Sequence, residues 1–221
     1  MGKVEFLFDK SKDALNIWDK INKPVPYNAF LRGLSPRLME ICKGKAFEDC
    51  KDEIIEYNQG IYDSGVIKIF LEALEKYWGK IENQFFERLE KITGKKYDEK
   101  TKCYVTTISI CPYDSDEKSF MCSVLYNLPQ AISTIAHELL HLHFHKYYYD
   151  EIEKELGEEK THDLKESLTV LLNSEFKDLL IGYDSGYESH KELRDFILRE
   201  WKKEKDFDGL LVKCVELLKE K

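Results

Sequence analysis

Five residues, His137-Glu138-Leu139-Leu140-His141, bring two imidazoles and a carboxylate together at the spacing that metal-assisted hydrolysis needs. On a helix, residues four apart lie on one face, one turn above the other. His137 and His141 can therefore take two corners of a zinc tetrahedron. Glu138 falls at the edge of that face, where it can reach the water that a metal activates and act as its base. Without a metal, the same three groups on a buried helix would be a costly arrangement, which weighs against a pair of ordinary core histidines.

The surrounding residues supply the helix. Asn127-Leu128-Pro129-Gln130 reads as its start, with Pro129 in the first turn, where a missing N–H costs nothing, and nothing breaks the pattern before about Tyr148. At about 100° per residue, Ile132, Ile135, Leu139 and Leu142 cover one side, and Ala136, Leu140 and Phe144 widen it. Thr134, His137, Glu138 and His141 form one narrow polar stripe. A helix apolar on most sides is buried, and a polar stripe on it requires partners or a metal. His145 continues the stripe one turn on and His143 falls opposite; both read as packing or surface residues, His145 with an optional supporting role.

Ser133-Thr134-Ile135-Ala136-His137-Glu138-Leu139-Leu140-His141 resembles the active-site helix of the zincin metallopeptidases. That likeness implies an α+β, zincin-like fold, mostly helical, with a small sheet preceding the active-site helix. It also implies a Zn2+ cofactor and a peptide or protein substrate hydrolysed by a metal-activated water. A catalytic zinc takes a third protein ligand and keeps one position open. In the gluzincin branch that ligand is a glutamate on a later helix, which by resemblance is Glu166, in Glu166-Ser167-Leu168-Thr169. The helix expected to carry it spans Asp163–Phe176, with Leu164, Leu168, Leu171, Leu172 and Leu179 as its apolar face.

Other roles stay open for these residues. Asp163 and Glu166 have the spacing of a capping box. His162 competes as the third member of a three-histidine site, and Glu175 competes because an unpaired carboxylate among leucines would be costly. Val170 occupies the position from which an acid often supports a metal-ligating histidine, so that support must come from elsewhere, with Asp184 or Glu188 as candidates. By resemblance, Tyr187 and His190, with Tyr183 behind them, are placed to hold the oxyanion of the reaction. The local alternative is a loop in which Ser189 caps a helix from Lys191. The glycine and third histidine of the metzincin signature are absent, as is the thermolysin-type pattern around the third ligand.

Composition bounds the rest. Of 221 residues, 43 % are hydrophobic and 34 % charged, which suits a globular chain. The net charge of −8 is spread over mixed clusters and argues against nucleic acid as a partner. Met1–Asp9 lacks the apolar stretch of a secretory signal, and no run of about eighteen apolar residues could span a membrane. Six cysteines without a C-x-x-C pair read as reduced thiols of a cytoplasmic protein.

Along the chain, residues 1–60 lean helical between Pro24, Pro26, Gly33, Pro36 and Gly44, and form an N-terminal extension without a readable motif. Residues 61–221 hold the zincin-like metallopeptidase domain. Val66–Thr93 is the longest helical pattern, closed by Gly94. Cys103–Cys111 and Phe120–Tyr126 read as strands joined by a turn region, and Asp150–Lys160 as a solvated acidic loop. Two helices, about 189–203 and 206–220, close the chain. A rival function on the same metal site is a regulatory or sensor protein that cleaves nothing.

Overall fold

The computed structural model of the chain describes residues 2–24 and 33–220, so the break expected at Pro26 lies outside the described residues. The protein is α+β and mostly helical, with one small sheet. Its first element is a strand, β1 (Lys3–Leu7), because burial alternates along it and turns Val4 and Phe6 inward. The helix-leaning reading of residues 1–60 misses this strand. Helix α1 (Lys10–Asn22) follows, with Asp9 as its N-cap accepting from the Ser11 and Lys12 amides. Helix α2 (Pro36–Cys42) starts on the Ser35 cap with proline in its first turn, and α3 is Lys51–Asp63. Helix α4 covers Val66–Thr93, as the periodicity predicts. It stops at Gly94, whose positive φ of 65° suits glycine and whose N–H still reaches the Glu90 carbonyl.

The sheet is completed by β2 (Lys100–Thr106), β3 (Tyr113–Asp114) and β4 (Ser119–Ser123), in the order β1-β2-β4-β3. β2 and β4 pair in parallel, Tyr104 facing Met121, and β3 pairs antiparallel to β4. The segment between β2 and β4 is therefore a crossover that contains a strand, where the sequence suggested a simple turn. Both predicted strands also begin and end earlier than expected. After the sheet come α5 (Leu128–Tyr147), α6 (Tyr149–Leu156), α7 (Glu158–Leu168), α8 (Val170–Glu175), α9 (Lys191–Lys203) and α10 (Phe207–Lys219). Among the described residues, no helix is long and apolar enough to cross a membrane.

Two segments differ from expectation. The acidic stretch Asp150–Lys160 is helical, because Ile152 is buried on one side of α6 and Gly157, at φ 78°, merely separates α6 from α7. The predicted helix over 163–176 is divided at Thr169 into α7 and α8. Asp163 thus lies inside α7 and does not cap it.

The chain forms two compact units. One is built from Val4–Gly79 and Lys100–Ala131, around Ala14, Ile17, Leu38, Ile41, Ile54 and Ile108. Its polar centre is Asp13, fully buried on α1. The Asp13 carboxylate accepts from the Thr106 hydroxyl (2.7 Å), the Thr107 amide and hydroxyl (2.8 Å each) and the Tyr62 hydroxyl (2.9 Å). These bonds tie α1 and α3 to the end of β2. Hydrogen bonds to a buried charge are strong, and the donors would be orphaned without it. Replacing Asp13 by alanine is expected to cost on the order of 3 kcal/mol or more, read by urea unfolding of the whole chain.

The other unit consists mainly of Lys80–Glu99 and Ile132–Lys221. Its core joins Leu164, Leu168 and Leu171 to Ile197, Trp201 and Leu210. This unit carries every residue of the site described next.

Candidate metal centre

Helix α5 positions His137 and His141. Asn127 caps it, its side-chain oxygen accepting from the Gln130 amide at 2.9 Å, so the helix is in phase from its first turn. Ile132, Ile135, Ala136, Leu139 and Leu142 are buried, which fixes the rotation of the helix and turns the His137–His141 stripe away from that apolar face. The two rings stand edge to face with centroids 4.2 Å apart.

Glu166, on α7, completes the set. Its Oε1 lies 3.1 Å from His141 Nε2 and its Oε2 lies 3.5 Å from His137 Nε2. One ligand atom from each of the three residues falls within 4.8 Å of the others. At Zn–N and Zn–O lengths near 2.0–2.1 Å, the edges of a tetrahedral site measure about 3.3 Å. The two contacts to Glu166, at 3.1 and 3.5 Å, are close to that edge length.

The other two candidates for third ligand are placed differently. His162 Nε2 is 3.9 Å from Glu166 Oε1, beside the cluster but outside it. Glu175 accepts from Trp201 Nε1 at 2.9 Å and pairs with Lys205, so its carboxylate is neutralised elsewhere.

The charge states follow from this packing. Burial pushes the His141 imidazole well below its ordinary range, and the nearby Lys165 cation adds to that, so it stays neutral as a ligand must. Burial also works against charge on His137, yet with no metal bound Asp184, Glu166 and Glu138 override it and hold that ring well above the usual range, so a metal at Nε2 would have to displace a proton. Glu166 is likewise kept ionised against burial, by His141, His137 and Lys165. Glu138 differs from all of them. Burial raises its pKa to about 7, and its Oε2 has no hydrogen-bond partner among the described residues. An orphaned carboxylate oxygen beside three convergent ligands is where a water held at the open position of a metal would bond.

Support for His137 comes from Asp184, one of the two acids anticipated. The ring Nδ1 lies 2.7 Å from Asp184 Oδ2, which leaves Nε2 for a metal. Glu188 is exposed. The loop bearing Asp184 is itself clamped. Asn173 donates to the Asp184 carbonyl (2.8 Å) and accepts from its amide (2.9 Å). Arg194, buried on α9, bonds the same carbonyl at 2.7 Å and the Thr169 hydroxyl at 2.9 Å. A side chain at Gly186 would meet that guanidinium at 2.6 Å, so only glycine fits there. Burial opposes ionisation of Asp184, but His137 and Arg194 bring its pKa to about 2. Changing Asp184 to asparagine is expected to weaken zinc binding roughly 10–100-fold, measured by competition with a chromophoric chelator.

The two oxyanion candidates separate. The Tyr187 hydroxyl is pushed up to about 12 by burial and by the negative field of Glu166, Glu138 and Asp184, so it remains a neutral donor facing the acids of the centre. His190 is buried, and its Nε2 lies 3.0 Å from Asp163 Oδ1. Its amide bonds the Tyr187 carbonyl in the turn Glu188–His190, where the sequence suggested a Ser189 cap. Tyr183 is 76 % exposed. His143 is buried against Thr93 and the Lys95 carbonyl, and His145 stacks on Tyr149, both as packing residues.

Sequence reasoning overlooked Lys165, Thr169 and Arg194. Lys165 shares a helical side with Thr161, Leu168 and Leu172, all buried, and a lysine within such a face is a signal that could have been read. Arg194 left no comparable sign. Against known proteins the chain stands apart: no family model, no curated protein and no solved structure matches it.

Proposed function

We propose that this protein is a zinc-dependent peptidase of zincin-like, gluzincin type. The observation that carries the reading is the convergence of His137, His141 and Glu166, next to a buried Glu138 oxygen that has no hydrogen-bond partner among the described residues. A sheet, then a helix with both imidazoles, then a helix with the acid is also the element order of that fold class. Zinc held by these three residues would supply Lewis acidity and a nucleophilic water. Glu138 takes the proton of the attacking water and returns it to the leaving amine, a task suited to a carboxyl that titrates near neutrality. Asp184 keeps the His137 ring oriented, and the Tyr187 hydroxyl donates to the oxyanion, where its bond strengthens as charge develops. A reduced, cytoplasmic setting belongs to the same reading, since cysteines kept as thiols are usual there.

The reading is tested by incubating the zinc-loaded chain with a mixed peptide library and following products by mass spectrometry. New termini should form, stop on chelation and return with zinc. Absence of any product from a fully loaded protein would overturn it. One observation favours the second reading, a metal-responsive regulatory module: a buried lysine touches the third ligand.

A further inference from the structure

Lys165 is among the largest fully buried side chains of the protein. Its Nζ lies 2.9 Å from Glu166 Oε1, the same oxygen that faces His141 Nε2 at 3.1 Å. A lysine is among the residues least often buried, and it is found so only when paired. Here the partner is a ligand of the candidate metal centre. A cation placed there acts in two ways. With no metal present it balances Glu166, alongside the Arg194–Asp184 pair at 3.2 Å and the His137–Asp184 pair at 2.7 Å, so the ligands keep their places. With a metal present it is a second positive charge on one carboxylate oxygen, repelling a divalent ion across a few ångströms of dry interior.

Outer groups that support a ligand commonly tighten metal binding by orienting it. For Glu166 that orientation is already provided by its buried place on α7, so the charge of Lys165 is what remains to be felt. Resting on the metal-site reading above, we propose that Lys165 is a built-in competitor of the metal. It weakens the hold of His137, His141 and Glu166 on zinc and preserves the empty site, which makes the ion an exchangeable occupant whose level follows free zinc.

The test uses the full chain as wild type, Lys165→Met and Lys165→Gln, titrated with zinc against a fluorescent chelator, with zinc release into excess chelator followed in time. Both uncharged variants are expected to bind zinc at least ten-fold more tightly and to release it more slowly, and two variants guard against one failing to fold. Wild type by itself should surrender zinc within minutes and keep its circular-dichroism spectrum afterwards. Retention for hours, or unfolding on removal of the metal, would overturn the proposal. So would variants that bind one zinc no more tightly than wild type, which would make Lys165 an orienting donor while leaving the metal centre intact. If neither wild type nor variants take up zinc at all, the metal centre itself falls, and the proposal with it.

Discussion

Glu138→Gln is expected to retain bound zinc and to lose turnover roughly 10²–10⁴-fold, the range that general acid–base groups contribute. Glutamine keeps the shape and one acceptor of the side chain but cannot take a proton. Because Glu138 is not one of the three convergent ligands, metal content should be unchanged. The comparison is made with library peptides under saturating zinc, with metal measured in the same samples. A variant as active as wild type would remove Glu138 from the chemistry.

The same substitution has an opposite effect on the metal-free fold. Burial raises the folded pKa of Glu138 from 4.5 to about 7. The native state then binds more protons than the unfolded chain between those values, so the stability this group allows is full below about 4.5 and is lost as pH rises toward 7. The span corresponds to roughly 3 kcal/mol. Urea unfolding in chelator should find Glu138→Gln more stable than wild type by about that amount at pH 8, with the gap closing near pH 4.5. Other buried groups titrate in both proteins, and the difference between the two isolates Glu138.

The second large effect concerns the ligands. His141→Ala and Glu166→Gln should each reduce zinc affinity by more than the roughly 10–100-fold typical of supporting residues, and abolish activity with it. Their consequences for the metal-free fold should diverge. His141 is held neutral, and its loss leaves a cavity and removes one partner of Glu166, which keeps His137 and Lys165. Glu166 carries the negative charge that faces His137, His141 and Lys165. Its neutralisation leaves Lys165 as a buried ammonium with less to pair it, a change that typically costs about 3–5 kcal/mol. Thermal unfolding in chelator separates the two, with Glu166→Gln the less stable. Equal stability of both would mean that Lys165 is satisfied by other groups.

Much of the geometry was readable in the chain because it is local. The phase of α5, its start near Asn127 or Leu128 and the limits of α4 follow from helical periodicity and from residues such as Pro129 and Gly94 that act within a turn or two. The mostly helical, small-sheet architecture follows similarly. The readings that went astray were those decided at a distance. β1 is too short to stand out until β2 pairs with it, and the crossover between β2 and β4 reads as a turn until the strands prove parallel. Asp150–Lys160 looks solvated by composition, yet Ile152, with Tyr149 and Leu156 beside it, packs on the core of its unit as a helix.

From sequence came the pair His137 and His141 on one face, with Glu138 at its edge, because a spacing of four on a helix is a statement about neighbouring turns of the same rod. Only the tertiary structure could bring Glu166, rather than His162 or Glu175, up to both imidazoles, set Asp184 against His137, turn His190 to Asp163 and seat Lys165 against Glu166. Those choices depend on how α7, the loop at Asp184 and α9 pack around α5. No local spacing records the approach of elements separated by tens of residues, since burial and charge compensation across the packed unit decide it.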